Sequence, residues 1–299
     1  MNSDVFFDKG ITHKICEDYA EAGDDGYVIV SDGCSSAVNT DFGSRILVRT
    51  AAQNLGAFDP NRPEIFGSRV VASAGAVCRT LALSSEAIRA TLLVAKIDAS
   101  QKTFSWAVFG DGIVVRKHKK EGIRVHVISQ PKNAPPYLSY CLSLAAWEGY
   151  RSEFGHELHI KDYFLREKGI EPGPLGLEYQ IRGTGTGTPL EPYHPMCVAE
   201  QNDIADYEWI ALLSDGAEQF QTMIQTETSL EAQRVPEDQI LRKLLGFKGF
   251  QGEFVQRRCL RAMKEIAELQ WEITQDGKLR IGEGARPSDD VSVGVLSFA

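Results

Sequence analysis

The sequence predicts an α+β fold: a sandwich of antiparallel β-sheets with helices outside it. Three observations carry this. Short apolar, β-branched runs stand near both ends of the chain, three more fall between Ala90 and His118 with only short turns between them, and helical periodicity is confined to a few longer stretches. Turns of a few residues suit antiparallel strands, because parallel neighbours need a crossover of a dozen residues or more.

The elements follow in order. Tyr27 to Val30 is short, apolar and closed by Asp32-Gly33, which reads as a buried strand. Phe42, Ile46, Leu47 and Ala51 then recur at helical spacing, and Val70, Val71, Ala74, Val77 and Leu81 mark a second helix. ATLLVAKID, TFSWAVFGD and GIVVRKH give three strands, expected to pair as a meander. Periodicity gives out over about 119–205, where most of the prolines fall with Gly183, Gly185 and Gly187, so this segment is expected to be an irregular inserted lobe within one 1–299 domain. Order returns with the strand WIALLSDG. Phe254, Cys259 or Leu260, Met263 and Ile266 then share the face of a helix, and VSVGVLSF closes the chain as a strand.

Composition narrows the function. A chain of 299 residues with 43% apolar and 24% charged residues can bury a full core without disulfides or structural zinc. Its net charge of −9 opposes general binding to nucleic acid or anionic lipid. The six cysteines, at 16, 34, 78, 141, 197 and 259, form no CxxC pair and read as reduced thiols. MNSDVFFDKG has neither the basic start nor the apolar run of a secretory leader, and no run approaches a membrane span, so a cytoplasmic protein is expected.

Carboxylates recur where strands begin or end. Glu17-Asp18 follow the first short apolar segment, Asp32 and Asp215 precede glycines, Asp111 lies between Gly110 and Gly112, and Asp289-Asp290 precede the last strand. One Asp-Gly pair is ordinarily a turn. Five such stations at one edge of a sandwich would repel one another without a cation, and an all-oxygen donor set suits Mg²⁺ or Mn²⁺.

Read in order, ICEDYA, YVIVSDG, ATLLVAKID, WAVFGDG, WIALLSDG and DDVSVGVL resemble the motif series of the metal-dependent PPM (type 2C) serine/threonine protein phosphatases, bacterial type. The resemblance implies two antiparallel sheets flanked by helix pairs, and a flap-like role for the 119–205 lobe. It implies that Asp32 bridges two divalent ions, Mn²⁺ or Mg²⁺. Glu17 and the Gly33 carbonyl would complete one ion's protein ligands; Asp215 and Asp289 would hold the other. Asp18 would order bound water, and Asp111 with Asp215 would hold a third, weaker ion. Asp289 is preferred to Asp290 because the family's acid is followed by one residue and then the apolar strand. Hydrolysis of phosphoserine and phosphothreonine by a hydroxide between the two ions is the implied reaction. A phosphorylated protein and a cognate kinase are the implied partners of a monomeric enzyme.

The chain departs from the family at two positions. His13, beside Lys14, stands where the family has a phosphate-gripping arginine, and Cys34 where it commonly has His or Met. These leave two alternatives: a phosphoprotein- or kinase-binding pseudophosphatase, and a small-molecule phosphomonoesterase of the same fold. Other signals read as structural. HELH at 156–159 is one residue short of a zincin motif, GTGTGT at 183–188 lacks the Walker lysine, and RKHKK at 116–120 reads as a solvated hairpin.

Overall fold

The computed structural model describes residues 1–130, 132–155, 157–167, 169–175, 179–182, 195–225, 230–268, 272–273, 279–280 and 286–298. The chain runs β1 (Asn2–Asp8), β2 (Tyr19–Gly23), β3 (Tyr27–Ser31), α1 (Thr40–Asn54), α2 (Pro63–Thr80), β4 (Leu92–Asp98), β5 (Thr103–Phe109), β6 (Gly112–His118) and β7 (Gly122–Ser129). It continues through α3 (Leu144–Phe154), β8 (Glu157–Arg166), β9 (Gly169–Pro172), β10 (Tyr179–Arg182), β11 (Val198–Asp203), β12 (Tyr207–Leu213), β13 (Phe220–Gln225) and β14 (Leu230–Arg234). It ends with α4 (Glu237–Leu244), α5 (Phe254–Glu268), β15 (Glu272–Ile273), β16 (Leu279–Arg280), β17 (Arg286–Pro287) and β18 (Val291–Ser297).

Two antiparallel sheets form the centre. One has the order β1-β18-β12-β6-β7-β8-β10 with β9 on β8; the other runs β11-β5-β4-β3-β2. Alternation along each strand explains the layering. Val28, Val30, Leu93, Ala95, Trp106 and Val108 face the other sheet and meet Val114, Ile210, Leu212 and Leu296. Their neighbours Ile29, Leu92, Val94, Ala107 and Phe109 point outward onto Leu47, Ala51, Phe66, Val70 and Ala74 of α1 and α2. On the far side Val115, Ala211, Val293 and Val295 pack on Ile240, Leu244, Val255, Cys259 and Ile266 of α4 and α5. Central strands covered on both faces are apolar at most positions, which is why they read as near-continuous runs. Each buried Val, Leu, Ile or Phe among them contributes about 1.5–3 kcal/mol.

Several expectations change in detail. The turn Gly110-Asp111-Gly112 is no meander hairpin. β5 pairs with β4 and β11 while β6 pairs with β12 and β7, so the turn carries the chain from one sheet to the other. Both glycines take positive φ, 95° and 139°, a region that L side chains rarely adopt. The segment 119–205 is not irregular throughout: β7 and β8 extend one sheet and β11 edges the other. The loop GTGTGT lies outside the described residues. Arg116 of the basic run is buried against Glu200 at 2.7 Å, not solvated. Phe42 and Leu260 face outward, and Cys259 takes the core position on α5. Glu157 and His159 stand on a strand, without the helical face a zincin motif uses. Among the described residues no helix is long and apolar enough to cross a membrane.

Candidate metal centre

Five chain segments bring their carboxylates to one edge of the sandwich. Asp32 leaves β3 where its carbonyl accepts the Thr91 N–H at 2.8 Å and its own N–H reaches Thr91 Oγ1 at 3.1 Å. Gly33 then bridges Ala90, and Cys34 N–H donates to the Arg89 carbonyl at 2.9 Å. The strand end is thus clamped to the segment before β4. Any side chain on Gly33 would come within 2.8 Å of the Glu17 carbonyl oxygen, so glycine here lets the two segments approach. Asp111 sits on the sheet-to-sheet turn. Asp215 opens a short 3₁₀ turn after β12, and a Cβ on Gly216 would lie 1.8 Å from the Asp290 carbonyl oxygen.

Electrostatics confirm the crowding. Asp32 is held well above the usual carboxylate range, first by loss of water and then by Asp18, Asp215 and Asp111. Asp111 is pushed up to about 8 by the same desolvation, then by Asp215, Glu218 and Asp289. Burial takes Asp18 up to about 7, against the lowering effect of the Ser214 hydrogen bond. Asp289 is raised by burial and then by Asp215. Without a counter-charge the ionised forms of these groups are disfavoured.

Asp289 and Asp290 part company. Asp290 is 1% exposed, and its two oxygens accept the N–H groups of Gly10, at 2.7 Å, and Glu17, at 2.5 Å. Asp289 is half-buried at the cleft, where Gln219 Nε2 donates both to it, at 3.0 Å, and to Asp215, at 3.1 Å. Glu17 accepts a hydrogen bond from Thr40 Oγ1 through one oxygen, leaving the other toward His13. Asp18, fully buried, accepts from Ser214 Oγ at 2.8 Å, while its Oδ1 has no hydrogen-bond partner.

His13 points inward. Its ring lies 3.1 Å from Asp290, 3.2 Å from Asp289 and 3.7 Å from Glu17, and these carboxylates raise its pKa above the ordinary value against the opposing effect of burial, the largest single influence. Cys34 contacts Ser36 Oγ at 3.1 Å. Tyr137, from the 119–205 segment, also reaches this cleft: burial first, then Cys34, Asp111 and Asp32, push its hydroxyl up.

All the acids singled out in the sequence therefore converge, and so does His13. Sequence reasoning missed Thr40, Tyr137, Ser214, Gln219 and Ser292. The serine of the SDG motif stands beside Asp32 and Asp215 in the sequence; Gln219, four residues past Asp215, becomes recognisable only once the chain turns there. A cluster of crowded acidic oxygens, with an orphaned buried oxygen on Asp18 and a backbone approach at Gly33, fits hard divalent cations.

The comparisons with known proteins agree on the fold. A crystal structure of a bacterial serine phosphatase superposes with a TM-score of 0.53 at 10% identity, covering 100% of this chain and 98% of that one. The serine/threonine phosphatase Stp1 from Staphylococcus aureus does so with a TM-score of 0.53 at 10% identity, over 99% and 95% of the two chains. No curated protein matches the chain in sequence. The protein phosphatase 2C family profile matches residues 12–241. With that match spanning most of the chain and the expected layered fold in place, the chain belongs to the protein phosphatase 2C family.

Proposed function

We propose that the protein removes phosphate from phosphoserine and phosphothreonine in proteins, with divalent cations held by Glu17, Asp32, the Gly33 carbonyl, Asp215 and Asp289, and a weaker one by Asp111 with Asp215. The observation that carries this reading is the convergence of Glu17, Asp32, Asp111, Asp215 and Asp289 at one sheet edge, close enough that their mutual repulsion helps raise the pKa of Asp32, Asp111 and Asp289. Mn²⁺ or Mg²⁺, when bound, neutralises the phosphate dianion and acidifies water at neutral pH. The chain's own part is positional. Thr40 and the clamp to Thr91 fix Glu17 and Asp32, and Gln219 sets Asp215 against Asp289. Asp18, held by Ser214, faces the cluster from the dry side, where it can accept or return a proton. A phosphorylated protein and its kinase are the partners this activity calls for, in a cytoplasmic, monomeric enzyme.

The test is hydrolysis of p-nitrophenyl phosphate and of a phosphothreonine peptide with Mn²⁺, Mg²⁺ or EDTA, on wild type and Asp32→Asn. Metal-dependent turnover that falls about 100-fold or more in the variant is expected. Folded protein inert with every cation would transfer the reading to a phosphoprotein-binding module. A small-ester preference would make it a phosphomonoesterase.

A further inference from the structure

We propose that His13 is itself a metal ligand, giving the cation held by Glu17 a nitrogen donor and shifting that site from Mg²⁺ toward first-row transition ions such as Mn²⁺. The inference rests on the metal centre proposed above. It concerns a residue for which an all-oxygen site has no use.

Donor atoms of His13, Glu17 and Asp290 all lie within 4.8 Å of one another. Nδ1 stands 3.1 Å from Asp290 Oδ2 and 3.7 Å from Glu17 Oε2. Donors about 2.1 Å from one ion stand roughly 3–3.5 Å apart, so small adjustments close the site. The two ring nitrogens face different work. Nε2 lies 3.2 Å from Asp289 Oδ1, the arrangement in which a ligating histidine donates its far N–H to a carboxylate. With the proton on Nε2, the Nδ1 lone pair faces Glu17 and Asp290. Nδ1 is sealed from solvent and makes no hydrogen bond of acceptable geometry.

The backbone holds the ring there in advance. Ile11 and Thr12 N–H groups donate to the carbonyls of Pro287 and Ser288, His13 N–H donates to the Gly10 carbonyl, and Asp290 accepts the Gly10 N–H. The turn is pinned to the strand entry that carries Asp289 and Asp290, which sets the His13 backbone beside those carboxylates. Asp290, whose two oxygens accept the Gly10 and Glu17 N–H groups, holds this turn beside Glu17 and leaves the metal bond to Nδ1 and the Glu17 carboxylate. An imidazole donor discriminates against Mg²⁺, which prefers oxygen and retains its waters, and favours transition ions.

The experiment reads the bond and needs no turnover. Mn²⁺-loaded protein is prepared with unlabelled or ¹⁵N-labelled histidine, and electron spin-echo modulation is recorded for wild type and His13→Gln. Calorimetry gives Mn²⁺ and Mg²⁺ affinities for both. We expect histidine nitrogen modulation in wild type, its loss in His13→Gln, and a fall of about tenfold or more in the preference for Mn²⁺ over Mg²⁺. Mn²⁺ binding without histidine modulation would reduce His13 to an ion pair and overturn the inference while sparing the metal centre. No Mn²⁺ binding by folded wild type would overturn both.

Discussion

Two adjacent carboxylates divide their work at the entry to β18. Asp290 uses both oxygens to hold the Gly10 and Glu17 N–H groups, so it ties the N-terminal turn to the last strand; Asp289 shares Gln219 with Asp215 and faces the cleft. Asp290→Asn leaves one oxygen for two buried N–H donors and sets an amide N–H against one of them. It should cost about 3 kcal/mol of stability, read as a lowered urea midpoint. Asp289→Asn removes a charge from a crowded cluster, so its midpoint should hold or rise while Mn²⁺ affinity by calorimetry falls. Matching losses of stability in both variants would show that the two residues are not divided in this way. The Asp289-Asp290 pair was legible in the sequence, and its partition only by resemblance. Neighbouring residues on an extended chain point to opposite sides, and nothing local says which side holds the cleft.

At the scale of elements, a buried ionic cluster ties β7 and β8 to β6 and β11. Asp162, fully buried on β8, accepts Arg124 Nε and Nη2 at 2.8 Å each, stands 3.0 Å from His126 Nε2, and accepts the Leu175 N–H at 2.9 Å. Arg116, 1% exposed, pairs with Glu200 on β11. Burial works against the Asp162 charge, yet Arg124 and His126 hold its pKa below the ordinary 3.8. Removing one partner from such a pair leaves the other charge stranded, so Asp162→Ala should cost about 3–5 kcal/mol. The pH sign follows from the depressed pKa. The group's stabilisation is fully present above about pH 4 and is lost as pH falls through its lower folded value. Acid unfolding of wild type should thus gain steepness below pH 4, and the Asp162→Ala difference in thermal midpoint should shrink there. A difference that stays constant down to acid pH would mean that packing, not charge, sets it. This cluster also explains why β7 and β8 escaped the sequence reading. Their inward positions carry Arg124, His126 and Asp162, polar groups that satisfy one another across strands and so erase the apolar alternation. By contrast β3, β4 and β12, apolar on both faces, were plain.

Across the whole molecule, the site exists because the sandwich collects segments from residue 10 to residue 290 at one edge, and that gathering has a cost in the metal-free protein. Asp18 at about 7 and Asp111 at about 8 are raised, as is Asp32, each with burial as the leading cause. A carboxyl whose pKa is raised on folding stays protonated while the unfolded chain ionises. The penalty therefore begins near pH 4 and grows as pH rises through the folded values of Asp18 and Asp111. Metal-free protein in EDTA should accordingly lose this part of its stability between pH 5 and 8. A bound cation favours the ionised cluster, so it should restore more at pH 8 than at pH 5.5. Thermal melts across this range, with EDTA or with excess Mn²⁺, read both effects, and Asp111→Asn should flatten the EDTA slope by removing one of the raised groups. If the midpoint in EDTA holds level or climbs from pH 5 to 8, and Mn²⁺ shifts it equally at both ends, the carboxylates do not share a field. The convergence of five stations, foreseen from their places at strand ends, would then be proximity without the coupling that a cation site requires.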